Sequence, residues 1–368
     1  MYSSNQILVN QFSSPLYFFL LPYPALFATF FLPGTMCHQT VMSRVFLFFF
    51  PALIMLGHLT FAGPPDSVVV FNEIHYHPKG SSKDGEWVEV FNQMGIRTDV
   101  SGWRIKGINY TFPDGTIIAP GAYLVVRRKP VAGQLGPFTG SLDDQGERIE
   151  LFNKGNRLMD ELDFKDSGRW PIEADGSGAT LAKRKPYSSS NESGNWTHSI
   201  QVGGTPGTAN FPDSGPPPQI LINEIPPASE NSFWFELINA GSETVNVTGF
   251  IVSVGGNPGL NYALPEHSMD AGKVLLIEGT ALGFRPSINE SLILYNSTGE
   301  MVLDSQLQSG RLRGRSIEHQ GAWLYPDNPT PGVANTFAFH DEIVISEIFY
   351  NPPTGVNSTN QWIEIANR

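Results

Sequence analysis

The sequence predicts an all-β protein made of repeated sandwich or barrel units, and three observations carry that prediction. The phrase E-W-V-E-V-F-N from Glu86 returns as F-W-F-E-L-I-N from Phe233 and as Q-W-I-E-I-A-N from Gln361. A second phrase precedes each copy: F-N-E-I-H-Y from Phe71, I-N-E-I-P-P from Ile222 and I-S-E-I-F-Y from Ile345. Paired phrases returning in the same order mark an internal repeat. These phrases alternate apolar and polar residues with period two, are rich in Val, Ile, Phe, Trp and Tyr, and close on Asn or Gly, which are strand signals. Past the N-terminal region no segment sustains a 3.6-residue apolar period, so no long helix is expected.

The elements follow in order. V-V-V-F-N-E-I-H-Y from Val68 opens the first unit, and the Trp87 strand comes next. S-G-W-R-I from Ser101 leads to F-P-D-G-T-I-I-A-P-G-A-Y-L-V-V from Phe112, whose P-D-G and A-P-G are turns. Pro fixes φ in such turns and Gly accepts positive φ. D-D-Q-G-E-R-I-E-L-F-N from Asp143 reads as a hairpin turn feeding a strand. The unit closes on G-G-T-P-G-T-A-N from Gly203, and the second closes on N-P-T-P-G-V-A-N from Asn328. Within the second unit N-V-T-G-F-I-V from Asn246 answers D-V-S-G-W-R-I from Asp99, and N-E-S-L-I-L-Y-N from Asn289 answers G-E-R-I-E-L-F-N from Gly146. Phe250 stands where the first unit has Trp103, and D-S-G-R-W-P from Asp166 has no counterpart. A third unit begins at Glu342 and reaches one strand pair by Arg368, so the chain reads as a fragment or a truncated frame.

Composition bounds the class. Gly (37) and Pro (29) are abundant and charged residues sparse, as turn-rich β proteins require. A net charge of −12 argues against a nucleic-acid backbone as partner. Residues 1 to 65 hold one charged side chain, Arg44, and two apolar stretches. The second stretch, from Met42, has a basic residue, an apolar run, and small residues at Thr60 and Ala62, the form of a secretory signal cleaved after Ala62. Residues 42–62 are thus a signal peptide or, alternatively, a membrane anchor, and residues 1–41 read as a mis-called extension. The one cysteine, Cys37, precedes the cleavage point, so the mature chain would have no disulfide or thiolate chemistry.

Six motifs in order resemble the lamin-tail domain: N-E-I-x-Y-x-P near Asn72, G-E-W-V-E-V-F-N, D-V-S-G-W, the F-P-D-G-T segment, G-E-R-I-E-L-F, and the closing T-P-G-T-A-N. That family, known from nuclear lamins and exported bacterial proteins, implies an immunoglobulin-like β-sandwich. The resemblance places one domain at 67–211 and a second at 218–336, with a Pro-rich linker at 212–217 and the start of a third domain at 342–368. Each unit is expected to hold its own core and to fold independently of its neighbour. Trp87, Trp234 and Trp362 are expected to cover a sheet face, flanked by Glu89, Glu236 and Glu364.

Candidate sites weigh against blander readings. Glu73, His75 and His77 alternate along one strand, a spacing that offers a carboxylate and two imidazoles to a divalent ion. The other repeats lack these histidines, so a surface strand end is the better reading and no metal ligand is assigned. Asp143, Asp144 and Glu147, and Asp160, Glu161 and Asp163, lack calcium-loop spacing and read as turn and edge charges. Lys183-Arg184-Lys185 and Arg311-Leu312-Arg313-Gly314-Arg315 are basic runs at equivalent places and read as solvated loops. The seven N-x-[ST] sequons matter only in a host that glycosylates. No P-loop, H-E-x-x-H or G-x-S-x-G is present. The expected function is a non-catalytic secreted or cell-surface binding or structural module with no cofactor, meeting an unknown protein or an envelope or wall polymer. The alternative is the N-terminal accessory region of a larger exported enzyme, of spore-coat-type kinase-like or nuclease kind. A lamin-like scaffold is excluded by the lack of a heptad rod.

Overall fold

The computed structural model describes residues 67–80, 82–211, 217, 219–339, 342–350 and 361–368. The signal segment, the extension before it and most of the Pro-rich linker lie outside the described residues. The first half contains β1 (Val69–His75), β2 (Trp87–Asn92), β3 (Thr98–Asp99), β4 (Arg104–Lys106), β5 (Tyr110–Thr111) and β6 (Ile117–Ile118). It continues with β7 (Tyr123–Arg127), β8 (Arg148–Phe152), β9 (Leu158–Asp163), β10 (Leu181–Lys183) and β11 (Trp196–His198). These strands form a sheet of order β11-β10-β1-β2-β7, a second of order β5-β4-β8-β9, and the small pair β3-β6. Val69, Phe71, Ile74, Val88 and Val90 from the first sheet meet Ile105, Ile149, Leu151 and Leu162 from the second in one buried core.

The second half repeats the plan with β12 (Ile220–Ile225), β13 (Trp234–Asn239), β14 (Val245–Asn246), β15 (Ile251–Val254), β16 (Asn261–Ala263) and β17 (Ser268–Met269). After β18 (Val274–Glu278) and the single-turn α1 (Gly279–Leu282) come β19 (Ser291–Tyr295), β20 (Val302–Leu307), β21 (Arg313–Ser316) and β22 (Ala322–Leu324). Its sheets run β18-β13-β12-β21-β22 and β16-β15-β19-β20, the same orders as in the first half. Phe250 is buried, like Trp103, so the aromatic exchange leaves the packing position filled. The chain is nearly all β, as expected. Among the described residues no helix is long and apolar enough to cross a membrane.

The opening strand departs from strict alternation. The β1–β2 register shifts between Phe71 and Glu73, a β-bulge. Without it, period two would send Glu73 and His75 into the core behind Val69 and Phe71. The extra residue reverses the phase, so Ile74 and Tyr76 turn inward while Asn72, Glu73 and His75 take the outer face. The same shift falls between Ile222 and Glu224. It recurs between Ile345 and Glu347 in the final hairpin of β23 (Ile343–Phe349) and β24 (Trp362–Asn367).

The tryptophans divide. Trp87 is buried, Trp234 is half-buried and Trp362 is 44% exposed, so the expectation of one shared role fails. In the final hairpin Ile343, Ile345, Ile348, Ile363 and Ile365 are also exposed.

The sandwiches are not free beads. Each has its own core, yet they meet at a third apolar cluster of Ala179, Ile293, Tyr295 and Val302. Backbone bonds cross the junction from Val202 N–H to the Glu300 carbonyl (2.9 Å) and from Val302 N–H to that of Ile200 (3.0 Å). The Tyr295 hydroxyl donates to the Ser177 carbonyl (2.8 Å), and the Lys79 ammonium lies 4.4 Å from the Tyr295 ring centre. Ser177 and Ala179 lie just past the D-S-G-R-W-P segment that has no counterpart in the second unit. That insertion brings the chain into the junction. Gly256 approaches it from the other side: its φ is +65°, and a Cβ there would sit 2.2 Å from the Gly176 carbonyl oxygen. Gly256→Ala therefore meets both backbone strain, about 1–3 kcal/mol, and a clash. Calorimetry of the parent chain should show one coupled transition for the two sandwiches, and Gly256→Ala should split it into two.

Candidate functional site

The most elaborate polar structure lies on the outer face of the first sheet, where Glu73 and Glu89 are cross-strand partners. Both are fully buried. The closing loop Thr205–Asn210 lies over them. Glu73 accepts from the Thr205 amide (3.1 Å), the Thr205 hydroxyl (2.9 Å) and the Thr180 hydroxyl. Glu89 accepts from the Gly207 amide (2.6 Å) and the Asn72 side chain (2.8 Å). The T-P-G order explains the fit. Two amides reach two carboxylates, and the intervening Pro206 has no N–H to leave unpaired. Gly207, at φ +86°, supplies the turn. Asn210 completes the clasp, donating to the carbonyls of Asn72 (3.0 Å) and Lys183 (2.9 Å).

The second sandwich repeats this network, apart from the Thr180 hydroxyl bond. Glu224 accepts from the amide (3.1 Å) and hydroxyl (2.7 Å) of Thr330. Glu236 accepts from Gly332 N–H and from Asn223 (3.1 Å). Asn335 donates to the carbonyls of Asn223 (3.1 Å) and Arg315 (2.9 Å). In the final hairpin Ser346 donates to Glu364 (2.6 Å), as Asn72 does to Glu89. Of the Glu residues expected to flank the tryptophans, Glu89 and Glu236 are therefore acceptors that hold the closing loops.

A second repeated pair joins the two sheets of each sandwich. Asp160 on β9 accepts from the Phe71 amide (2.8 Å), beside the bulge, and from Ser190 (2.6 Å). Ser190 in turn accepts from the Lys183 ammonium (2.8 Å). In the second sandwich Asp304 accepts from the Ile222 amide (2.7 Å) and from the Arg315 guanidinium (2.7 Å). Lys183 and Arg315 lie over Trp196 and Trp323 at 5.5 and 5.1 Å. This corrects two expectations. Asp160 is buried rather than an edge charge, and Lys183 and Arg315 sit inside strands rather than in solvated loops. The remaining acidic residues do decorate the surface, Glu161 pairing with Arg148 and Asp163 with Lys165.

The alternating Glu73, His75 and His77 do not come together. Glu73 is committed to Thr205. His75 is buried, its Nδ1 is 3.1 Å from the Gly85 carbonyl, and its ring meets Trp87 edge-on at 6.0 Å. Burial drives its pKa down to about 4, so it is neutral at physiological pH. His77 lies past the end of β1 and its Nδ1 is 2.5 Å from Asp175. Burial lowers the His77 pKa, but the Asp175 hydrogen bond and charge outweigh it and raise the value overall. Neither histidine is the exposed strand-end residue expected from the sequence. Among the described residues no group of three or more His, Cys, Asp or Glu is placed to hold a metal ion.

Paired carboxylates with raised pKa values are the raw material of acid–base catalysis. Burial, and then the neighbouring Glu73 charge, push Glu89 up to about 8 against its hydrogen bonds, and Glu236 rises to about 7 for the same reasons. Here, however, the closing loop covers the pair and its amides occupy the oxygens, so no substrate can reach them. The network fastens the fold.

Residues 63–166 match the family model of the Lamin Tail Domain. The first sandwich is thus similar, over this stretch, to a lamin tail domain. Its matched stretch ends before β10, although β10, β11 and the clasp loop complete the sheet that the domain's first strands begin. No curated protein and no solved structure matches the chain.

The clasp makes stability depend on pH. Below about pH 4.5 Glu89 is protonated folded or unfolded; between there and about pH 8 the folded chain alone keeps the proton. Stability should fall as pH rises through that window and level off above it. Glu89→Gln should flatten the first sandwich's share of this slope in denaturant titrations at several pH values. Asp160→Ala would strand the Lys183 charge in the interior and should cost about 3–5 kcal/mol, measured by the same unfolding curves.

Proposed function

We propose that the chain is a non-catalytic binding or structural module of tandem lamin tail domains, displayed outside the cell or on its surface. The observation that carries the reading is the commitment of buried charge. Glu73, Glu89 and Asp160, with their counterparts Glu224, Glu236, Asp304 and Arg315, hold backbone or one another, and Lys183 reaches Asp160 through the Ser190 hydroxyl. Chemistry that needs a free acid, base or nucleophile finds none among these groups, while the sandwiches present loops and sheet faces for contact. The lamin tail domain match supports a β-sandwich module of this kind. The second sandwich shares the clasp and strand order of the first, which supports reading it as a second copy. Export rests on the charge-poor apolar stretch from Met42 with Thr60 and Ala62 at the cleavage positions. The partner is a protein or an envelope or wall polymer.

Two measurements test this reading. Mass spectrometry of the exported fraction should find a mature N-terminus near Gly63, and an intact intracellular product beginning at Met1 would contradict export. The chain should also be retained saturably by isolated envelope or wall material, with no turnover of that material, and absence of retention would count against the binding role.

A further inference from the structure

The two sandwiches treat equivalent tryptophans differently. On β2, Trp87 stands opposite His75 on one neighbouring strand and Arg127 on the other. Directly opposed residues share a sheet face, and both neighbours cover the ring. The imidazole meets it edge-on at 6.0 Å, and the guanidinium carbon of Arg127 lies 5.5 Å from its centre. Trp87 is left 1% exposed. On β13, Trp234 stands opposite Glu278, and on the other side β12 has ended at Ile225, with Pro226 following. The cation that caps the first ring is thus replaced by an exposed carboxylate, and the imidazole by proline.

Trp234 is half-buried, and among the described residues no ring or cation lies over it. Instead it lines an open cleft of about 760 Å³ with Phe233, Phe284, Glu278, Thr280 and Pro331. Arg285 also borders the cleft, but its guanidinium is committed. It donates to the carbonyls of Glu230 (3.0 Å) and Ala228 and lies 5.8 Å from the Phe233 ring centre. Glu278 has no cationic partner among the described residues; the Thr280 hydroxyl, 3.5 Å away, is its hydrogen-bond neighbour. An uncovered indole beside an unpaired carboxylate is complementary to an organic cation, through ring quadrupole and charge together. A planar guanidinium meets both demands better than an ammonium, because it can stack on the ring while its N–H groups fork to the carboxylate.

We propose that this cleft takes the side chain of an arginine presented by a partner polypeptide, restoring from outside the cap that Arg127 gives Trp87 from within. The site lies at the rim of the second clasp, since Pro331 follows Thr330, so the fastened loop forms one wall. The cleft volume suits one long side chain with its flanking backbone. The proposal rests on the binding-module reading and adds the chemistry of the partner.

The test is an NMR titration of the whole chain, following the Trp234 indole N–H resonance, assigned by its loss in Trp234→Phe. The probes are N-acetyl-arginine amide, the neutral N-acetyl-glutamine amide, and a short peptide carrying a single arginine. The arginine probes should shift this resonance saturably, with weakening at high salt, and the glutamine probe should not. Glu278→Gln should weaken binding. Glu278→Arg, which recreates the Trp87–Arg127 pair internally, should lower affinity at least tenfold while leaving the other indole resonances in place. Equal response to the neutral amide, unchanged affinity in Glu278→Arg, or no response to arginine would overturn the proposal. A neutral oligosaccharide shifting the resonance in arginine's stead would overturn it as well. If envelope retention persists while Trp234 stays silent, this site is wrong and the module reading stands.

Discussion

A pair of buried carboxylates under a closing loop is the constraint on which the rest of this structure depends. Burying two adjacent acids is unfavourable unless nearly every lone pair finds a donor. The T-P-G sequence supplies the donors in a fixed order, amide, no amide, amide, and so ties the end of each sandwich to its first two strands. The bulge in the opening strand makes this possible, because it turns Glu73 and Glu224 outward while keeping Ile74 and Ile225 in the core. The inter-sheet acids Asp160 and Asp304 then take up an amide beside each bulge. Strand phase, loop closure and sheet-to-sheet connection are consequences of one polar network.

The comparison of the two sandwiches separates what the fold needs from what it leaves open. Clasp, bulge and inter-sheet cation–carboxylate pair are kept, with Lys183 exchanged for Arg315 and Trp103 for Phe250. The variable parts are at the edges: the insertion after Asp166 that enters the junction, and the surroundings of Trp234. Under the proposed binding role, recognition would fall on surfaces that the core does not constrain.

Much of the fold was legible in the sequence. Repeated phrases, period-two runs and turn dipeptides indicate the strands, the all-β class and the plan of two like units. The clasp was visible only in pieces. N-E-I, the Glu of W-x-E, and T-P-G-x-A-N recur together, yet they are far apart in the chain, and strand alternation alone marks a glutamate as a flanking surface residue. For Glu73 the alternation set by Val69 and Phe71 points into the core, and a one-residue bulge reverses that phase without leaving a glycine or proline at the spot, so Asn72 and Glu73 give no local warning. Lys183 and Arg315 misled for a related reason: a basic triplet reads as solvated unless its carboxylate, on a strand of the other sheet, is known. The junction had one sequence signal, the D-S-G-R-W-P stretch that the second unit lacks. An unmatched insertion does not say what it touches.

The claim that the clasp closes each sandwich is tested most directly by amide hydrogen exchange at Thr205, Gly207, Thr330 and Gly332. These amides sit in loops and make no strand ladder bonds, so ordinary loop behaviour would expose them to rapid exchange. The account predicts protection close to that of the central strands, lost at Thr205 and Gly207 in Glu73→Ala while Thr330 and Gly332 remain protected. Rapid exchange at all four in the parent chain, at the rate of an exposed loop, would contradict it.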